Sequence, residues 1–443
     1  MECRIAGKWS LKSQIVADRA DGMDNPDYLD RVVDGEVVEA LASSPAVLIE
    51  GPRGCGKTWT GQHFSRSEVM LDGTEAQRMA AEVDPHSILE GEEPRLLDEW
   101  QMVRGIWNPM RHACDRRGGF GHFILTGSQN PPDDITEHSG AGRVARIRMR
   151  PMSLWESGDS SGEVSLSSLI RGGNCRSSDT SLTLRAVASL IARGGWPRLI
   201  RMPGRLAQAR MRDYLDNISR VDISRVQGVR RNPQLVRNLL ASLARNEATG
   251  ASINTLQADL TEAGAGAPAR STIRTYLDEL ARLFVIEPLP AWSTHLRSST
   301  RLRKTPKRFF ADPSLAVAAL STSSSAIAAD LSWLGLLFES LAIRDLRIYS
   351  QSLGGRLYYY GDENNLEADA IIDGLEGRWV AVEIKLGGGA AIQKAMDSLR
   401  TLRSKVDTTR RGEPARLIVL TAFGGGYQTE DGVAVVPITS LRP

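Results

Sequence analysis

The stretch 46-AVLIEGPRGCGKT-58 joins an apolar run to a glycine-rich loop. The apolar run is continuous and stops at a glycine, which predicts a short buried strand. Residues Gly51 to Thr58 match G-x-x-x-x-G-K-[ST] in full, and we expect a helix to begin at Gly56. Because glycine lets the backbone approach closely, the N–H groups of such a loop can point at phosphates, and the helix N-terminus adds partial positive charge. The stretch therefore predicts a P-loop.

Separate roles are expected for the residues of this loop. Lys57 would reach the β- and γ-phosphates of ATP, and the hydroxyl of Thr58 would bind Mg²⁺. Trp59, with Tyr28 and Arg31 upstream, is a candidate to flank the adenine, although buried packing is the alternative for Trp59. The residues expected to contact the nucleotide are Gly51, Pro52, Arg53, Gly54, Cys55, Gly56, Lys57, Thr58 and Trp59.

Two acids follow the next well-defined apolar run, 95-RLL-97. A strand that ends in acids would place them at the carboxyl edge of a parallel sheet, beside the phosphates. Asp98 is then expected to hold Mg²⁺, and Glu99 is expected to polarise the attacking water. An ordinary strand that ends in exposed acids is the alternative, and the P-loop upstream favours the nucleotide interpretation.

Polar and basic residues further along are the remaining catalytic candidates of this region. The run FILTGS ends in Thr126 and Ser128, which are candidates to sense the γ-phosphate. One arginine would stabilise transition-state charge, a role worth roughly a thousand-fold or more in rate. Arg143 is the first candidate, and it could act across a subunit boundary. The other candidates are Arg146, Arg148 and Arg150, and a solvated basic strand face is the alternative for each.

Apolar runs alternate with helical stretches through the first part of the chain, which predicts a parallel sheet with crossover helices. The expected strands are AVLIEG, EVML, RLLDE, FILTGS and VARIRM, and a helix is expected at 26–41. The Ser/Gly-rich segment 157–181 predicts a loop or a boundary. Helices are expected after it at 182–193, 206–224, 232–246, 253–262 and 271–283.

A second α/β unit is predicted beyond residue 302. The apolar stretch 331–343 predicts a buried helix, and 321–329 predicts a loop or a helix start. The runs expected to form strands are LRIYS, RLYYYG, EADAIID, WVAVEIK and RLIVLTA.

Composition restricts the class of protein. A chain of 443 residues predicts two to four domains, and 41% hydrophobic with 24% charged residues is ordinary for a globular protein. A net charge of +2 does not by itself indicate a nucleic-acid partner. No signal peptide and no membrane-spanning run are expected. The four cysteines, Cys3, Cys55, Cys114 and Cys175, lack metal-ligand spacing, which favours the reducing cytoplasm.

Several of these motifs together resemble a known family. The matching pieces are GPRGCGKT, RLLDEWQ, FILTGSQN, AGRVARIRMRPMSLWE, GGWP, YLDNISRVD, STIRTYLDELARLFVIEPLPAW, KTPKRFFADPSLA, FESLAIRDL, EADAII and VEIKLG. They resemble the prokaryotic AAA-type ATP-binding proteins that carry a C-terminal restriction-endonuclease-like domain of unassigned function. The resemblance implies an α/β AAA-type core at 41–156 after an N-terminal extension and helix at 1–40. It further implies a helical lid or connector at 157–230, a winged helix at 231–295 and a nuclease-like α/β domain at 296–443.

The middle segment contains a helix-turn-helix pattern, with helices at 252–260 and 271–283 and a wing at 284–292. Arg270, Thr272 and Arg274 lie near the start of the second helix, where a recognition helix contacts DNA. A winged helix used for packing or oligomer contact is an equal alternative. The basic residues that follow favour DNA, although a solvated linker is an alternative for them too; they are Arg297, Arg301, Arg303, Lys304, Lys307 and Arg308.

Charged residues of the last segment resemble the restriction-endonuclease constellation of Glu, Asp and Glu-x-Lys. Asp369 and Glu383 would share a second divalent metal, Mg²⁺ or Mn²⁺, and Glu339 would complete its shell. Lys385 would lie on the same side of the strand as Glu383 and orient the nucleophile. The alternative is a nuclease-like fold that is retained as a binding module or scaffold.

Together these residues predict a Mg²⁺-dependent ATPase that acts on DNA as a motor or remodeller, with metal-dependent nuclease activity at its C-terminus. The alternative is a nucleotide-controlled signalling or defence switch whose C-terminal domain docks a protein without cleavage. AAA-type cores usually assemble, so a homo-oligomer is expected.

Overall fold

A computed structural model describes residues 27–128, 140–180, 182–226, 231–264, 266, 268–293, 305–375 and 377–443. The described chain forms two compact units, the first mainly from residues up to Arg150 and the second mainly from Pro151 onward. Cys3 and most of the predicted N-terminal extension lie outside the described residues. So do four members of the basic stretch, Arg297, Arg301, Arg303 and Lys304.

The first unit is a five-stranded parallel sheet with helices between its strands. Its elements are α1 (Asp34–Leu41), β1 (Ala46–Glu50), α2 (Lys57–Phe64), β2 (Ser67–Met70), α3 (Glu75–Val83), α4 (Pro85–Ile88), β3 (Arg95–Asp98), α5 (Trp107–Arg117), β4 (Phe123–Gly127) and β5 (Val144–Arg148). Strand order is β2-β3-β4-β1-β5. All five predicted strands are confirmed. Parallel neighbours require crossovers, and large apolar side chains such as Trp100, Trp107 and Phe123 fill the core on one face.

The second unit contains a helical part and a seven-stranded mixed sheet. Its first elements are β6 (Val164–Ser165), α6 (Leu166–Ile170), β7 (Ser177–Thr180), α7 (Leu184–Arg193), α8 (Gly204–Asn217), α9 (Ile223–Val226), α10 (Pro233–Arg245), α11 (Ile253–Glu262) and α12 (Arg270–Arg282). The later elements are α13 (Pro313–Ala319), α14 (Ser324–Ala329), α15 (Leu331–Ser352), β8 (Arg356–Gly361), β9 (Glu367–Leu375), β10 (Arg378–Lys385), α16 (Gly389–Lys405), α17 (Thr408–Arg411), β11 (Arg416–Thr421), β12 (Gly424–Gln428), β13 (Val433–Pro437) and β14 (Leu441–Arg442).

The sheet of this unit has the order β7-β12-β13-β11-β10-β9-β8. β10, β11 and β13 are parallel neighbours, whereas β8 and β9 extend the sheet as antiparallel strands. The segment 157–181, predicted to be a loop or a boundary, contains β7, which pairs with β12 at the edge of this sheet. Polar strand residues at a sheet edge leave little periodic signal, so composition alone did not identify the strand.

The expected strand LRIYS is wrong. Residues 346–350 lie inside α15, a 22-residue helix that Asp330 caps by accepting a hydrogen bond from the backbone N–H of Trp333 at 3.0 Å. Nearly every residue from Leu337 to Ser350 is buried. A helix buried all round has no polar face, so its sequence cannot be distinguished from a buried strand by periodicity.

The two helices of the predicted helix-turn-helix pattern are present as α11 and α12. Ser252 caps α11, because its hydroxyl accepts a hydrogen bond from the backbone N–H of Thr255 at 3.1 Å. α12 begins at Arg270, so Ser271 lies in its first turn and is not its cap. The predicted wing pairs in antiparallel fashion with the next chain segment, through Ile286 with Phe310 and Leu289 with Lys307. Among the helices that the structure describes, none is long and apolar enough to cross a membrane.

A buried guanidinium joins four segments of the second unit. Arg344 of α15 donates to Asp312 at 2.8 Å and to Asp345 at 2.7 Å, and all three side chains are almost fully buried. Asp312 also accepts the backbone N–H of Gly195 at 3.0 Å, and Asp345 accepts that of Leu154 at 3.0 Å. A buried charge is tolerated only when its partners are in place, so this arrangement fixes all four segments together.

Arg344→Met is therefore expected to lower the free energy of unfolding of the second unit by about 3–5 kcal/mol, because two carboxylates stay buried without their cation. Urea unfolding followed by tryptophan fluorescence measures the loss. Arg356→Met, at an exposed position in β8, is the matched control and should change stability by about 0.5 kcal/mol or less. Equal losses in the two variants would contradict a stabilising role for the buried arginine.

Candidate functional site

Close backbone contacts shape the glycine-rich loop. A Cβ atom on Gly51 would lie 2.0 Å from the carbonyl oxygen of Met149, so only glycine fits there. Gly54 and Gly56 have φ values of +80° and +108°, in the left-handed region that favours glycine. The loop therefore turns sharply into α2. The side chain of Lys57 is buried at the start of that helix and donates to the carbonyl oxygen of Pro52 at 3.0 Å.

The strand order brings the first acid to this loop. β4 lies between β1 and β3, so Thr126 of β4 stands between the two strands that carry the loop and Asp98. The hydroxyl of Thr126 donates to Asp98 at 2.5 Å and accepts from the backbone N–H of Glu99 at 3.0 Å. Burial raises the pKa of Asp98, and hydrogen bonds with Thr126 and Thr58 oppose that shift. Asp98 thus lies beside Thr58, as a shared Mg²⁺ site requires.

The second acid is held by two polar side chains. Glu99 has a φ of +51°, a left-handed conformation that is uncommon for a residue other than glycine. The hydroxyl of Ser128 donates to Glu99 Oε2 at 3.0 Å, and the amide of Gln101 donates to the same oxygen. Gln101 was not among the sequence candidates. Its position two residues after Glu99, in RLLDEWQ, was the available signal.

Arg31 and Tyr28, which precede α1, contact the glycine-rich loop and its neighbouring helices. Arg31 is buried and donates to the carbonyl oxygens of Cys55 at 2.9 Å and Arg150 at 2.8 Å. Tyr28 donates to Asp34 at 2.7 Å, and its ring stacks on a histidine ring of α2 at 4.1 Å. Arg31 is thus engaged with the backbone of the loop, a role that differs from the expected contact with adenine.

Trp59 is 39% exposed, so the alternative of buried packing for it is wrong. A helix as short as α2 buries one face only, and residue 59 lies off that face. An exposed indole beside the loop agrees with the expectation that it contacts nucleotide.

Arg143 lies where the parallel strands begin, whereas the glycine-rich loop lies where they end. It is therefore too far away to act on the loop of its own chain. It precedes β5, whose first residue Val144 pairs in parallel with Ala46, the first residue of β1. The loop follows the other end of β1, about 15 Å away for five residues of strand. Arg143 instead forms an exposed ion pair with Asp115 at 2.6 Å. Only an action on a neighbouring subunit remains compatible with its expected role.

Two other candidate arginines lie nearer the loop. Arg146 and Arg148 approach the carboxylate of Glu50, the last residue of β1, at 3.4 Å and 3.8 Å. The two basic side chains of strand β5 are therefore paired with an acid of the strand that leads into the loop.

The residues at this edge fit a magnesium nucleotide. The donor set is a backbone loop at the N-terminus of α2, a buried lysine, a threonine hydroxyl and a buried carboxylate, which are the groups that bind phosphate and Mg²⁺. Because only glycine fits at position 51, close packing against the carbonyl oxygen of Met149 restricts the conformation of the loop.

A second group of charged residues lies in the second unit. Lys307 donates to Glu339 at 3.0 Å and lies 3.8 Å from Asp369. Lys385 lies 3.1 Å from Asp369 and 2.7 Å from Glu383. We call these five residues the carboxylate–lysine cluster. The four predicted residues are thus brought together, and Lys307, which the sequence placed in a basic stretch, joins them.

The expected second metal site is not supported. Within the ranges that the structure describes, no three His, Cys, Asp or Glu side chains are arranged to hold a metal ion. The physical reason is that the two lysine ammonium groups already pair with the carboxylates. Lys307 precedes Glu339 by 32 residues in sequence, so motif spacing could not assign it to the cluster.

Burial and mutual repulsion govern the protonation of this cluster. Burial raises the pKa of Glu339 to about 8 and that of Glu383 to about 7, and the charge of Asp369 adds to both shifts. The lysines oppose these shifts, and the acids in turn raise the pKa of Lys307 and Lys385, against the effect of burial. The ammonium groups therefore stay charged.

Two of the three DNA-contact candidates are exposed on α12. Arg270 and Arg274 lie about one helical turn apart and are exposed, Thr272 is half-buried, and Ile273 and Leu277 are buried. The two arginine side chains are therefore accessible to a partner.

The parallel sheet, the glycine-rich loop and the acids that follow β3 define the class of the first unit, an AAA-type P-loop ATPase domain. Residues 43–157 match the family model described as AAA domain. Residues 184–326 and 334–441 match two models described as domains of unknown function, DUF8612 and DUF4143. No curated protein matches the chain. The AAA-type core that the resemblance implies is confirmed, whereas the winged helix and the nuclease-like domain stay predictions.

Three solved structures are similar to this chain at low identity. A Walker-type ATPase of Pyrococcus abyssi is 13% identical, with 68% of this chain and 98% of that chain covered and a TM-score of 0.43. AMPPCP-bound DnaA from Aquifex aeolicus is 14% identical, with 56% and 86% covered and a TM-score of 0.26. A RuvB mutant of Thermotoga maritima is 14% identical, with 61% and 94% covered and a TM-score of 0.27.

Gly51→Ala is expected to weaken binding of a fluorescent ATP analogue by at least about tenfold, because the added methyl group would displace the loop from Met149. Gly35→Ala is the matched control, since a Cβ atom there meets nothing within 4 Å and the residue lies in α1. Unchanged affinity in the Gly51 variant would contradict the tight packing of the loop.

Proposed function

We propose that the first unit binds ATP with Mg²⁺ and hydrolyses it. The observation that carries the proposal is the arrangement of Asp98 and Glu99, which Thr126 and Ser128 hold beside the glycine-rich loop. Passive nucleotide binding requires no acid after Asp98, whereas hydrolysis requires a group that can accept a proton from water.

Each residue has a distinct task in this proposal. Backbone N–H groups of the loop and the ammonium group of Lys57 bind the phosphates. Thr58 and Asp98 hold Mg²⁺, which supplies positive charge against the phosphate oxygens. Glu99 orients the attacking water and accepts its proton, and Ser128 and Gln101 keep that carboxylate in place.

Glu99→Gln is expected to keep ATP affinity and to lower kcat by at least about 100-fold, because the amide cannot accept the proton. Lys57→Ala should instead lose affinity, since it removes a phosphate contact. Steady-state phosphate release and binding of a fluorescent ATP analogue separate the two effects. Full hydrolysis by the Glu99 variant would contradict the assignment of the base.

We further propose that the ATPase acts on DNA as a motor or remodeller, through the exposed start of α12. Arg270 and Arg274, about one helical turn apart, would provide cationic contacts for phosphates, and Thr272, near the start of the same helix, would contact DNA beside them. Assembly into a homo-oligomer would let Arg143 act on the nucleotide of a neighbouring subunit, because strand β5 begins at the sheet edge away from the loop of its own chain.

DNA is therefore expected to stimulate ATP hydrolysis, and the stimulation should weaken as salt increases. Hydrolysis is measured without DNA and with single strands, duplex and branched junctions, at two salt concentrations. The double variant Arg270→Ala with Arg274→Ala should reduce the salt dependence of DNA affinity by about two charges. Arg403→Ala, an exposed arginine of α16, is the control. No stimulation by any DNA form would exclude the DNA role and leave ATP hydrolysis intact.

A specific observation favours the alternative of a nucleotide-controlled signalling or defence switch that docks a protein. The lysines of the carboxylate–lysine cluster weaken the hypothesis of metal-dependent cleavage by the second unit, because they occupy the oxygens that a metal needs. The switch predicts an ATP-dependent change in particle mass without DNA. Light scattering of the Glu99→Gln variant with and without ATP tests it, and identical masses would count against it.

A further inference from the structure

The three acids of the carboxylate–lysine cluster each have a lysine partner. Lys307 lies between Glu339, at 3.0 Å, and Asp369, at 3.8 Å. Lys385 lies between Asp369, at 3.1 Å, and Glu383, at 2.7 Å. Asp369 therefore contacts both ammonium groups, and the backbone N–H of Ile384 donates at 2.7 Å to Oδ2, the same oxygen that Lys385 contacts.

Backbone hydrogen bonds, in addition to the ion pairs of its side chain, hold Lys307 in position. Its N–H donates to the carbonyl oxygen of Leu289 at 3.1 Å, and its own carbonyl oxygen accepts from the N–H of Leu289 at 2.8 Å. The next residue, Arg308, donates to the carbonyl oxygen of Thr249 at 3.0 Å. Tyr359 fixes the preceding residues through a hydrogen bond to the carbonyl oxygen of Thr305 at 2.8 Å. The segment that carries the Lys307 ammonium group is therefore held by hydrogen bonds before, at and after residue 307.

The charges of the cluster nearly balance without any added ion. Three carboxyl groups and two ammonium groups carry at most one net negative charge, and their side chains are mostly buried. A dication placed among the same oxygens would stand within a few ångströms of two ammonium groups and would need to displace at least one of them. In a buried site that repulsion is weakly screened.

We propose that Lys307 takes the place of a divalent cation in this cluster, so that the second unit of the natural protein holds a metal-free ion-pair network between α15, β9 and β10. The network joins the segment at residues 305–310 to the sheet. The inference concerns the second unit only and does not depend on ATP hydrolysis. It implies that removal of the ammonium group at position 307 would convert the cluster into a site for one dication.

Lys307→Met in the full-length protein tests this inference. The variant leaves three carboxylates with one lysine, so it should bind one Mn²⁺ per chain at least tenfold more tightly than the natural protein. Mn²⁺ alone is titrated without nucleotide, by calorimetry and by electron paramagnetic resonance. The melting temperature of the variant should fall and then rise again with Mn²⁺, because a ligand that binds only the folded state stabilises it.

Further variants test whether the gained Mn²⁺ site lies in the carboxylate–lysine cluster. Lys405→Met removes a lysine that pairs with Asp362 elsewhere in the same unit, and it should gain no Mn²⁺ binding. The double variant Lys307→Met with Glu339→Gln should lose the gained site. Lys307→Arg retains the positive charge and should resemble the natural protein.

Two results would overturn the inference. One is a bound Mn²⁺ in the natural protein that disappears in Asp369→Asn, since the cluster would then hold a metal with Lys307 present. The other is a folded Lys307→Met variant that binds Mn²⁺ no better than the natural protein. If Lys307→Met does not fold, the comparison of the natural protein with Asp369→Asn still decides the question. None of these results changes the expected ATPase activity of the first unit.

Discussion

The second unit depends on the buried charge of Arg344. Its guanidinium group has two carboxylate partners, and those carboxylates in turn accept backbone N–H groups from two further segments. Glu339 precedes Arg344 by five residues in the same helix, and Lys307 precedes Asp312 by five residues. The ion pair of Arg344 with Asp312 and the ion pair of Lys307 with Glu339 thus connect the same two segments of the chain. Both pairs join a helix to a segment that is distant in sequence.

In the first unit, the order of the strands in the sheet brings the functional residues together. β4 separates the strand that leads into the glycine-rich loop from the strand that ends in Asp98. This places the hydroxyl of Thr126 within hydrogen-bond distance of Asp98 and of the backbone of Glu99. A polar strand end between two functional strands can position both acids, because parallel strands end at the same edge of the sheet.

Burial has different consequences in the two clusters of acids. In the first unit, the hydroxyl groups of Thr126 and Thr58 form hydrogen bonds with Asp98, an arrangement that suits a ligand of Mg²⁺. In the second unit, lysines compensate the buried acids directly. The two groups of acids thus differ in the partners that the fold places beside them, which are hydroxyl groups in the first unit and lysine ammonium groups in the second.

The sequence by itself determined the local features: the glycine-rich loop, the five strands of the first sheet, the pair α11 and α12, and the acids at strand ends. Each of these is encoded within a few consecutive residues, through apolar runs, glycines and turn signals. Only the tertiary structure decided that LRIYS is helical, that Arg143 lies far from the loop of its own chain, and that Lys307 pairs with Glu339 and Asp369. These outcomes depend on contacts between residues far apart in sequence, and periodicity carries no information about which buried segments will meet.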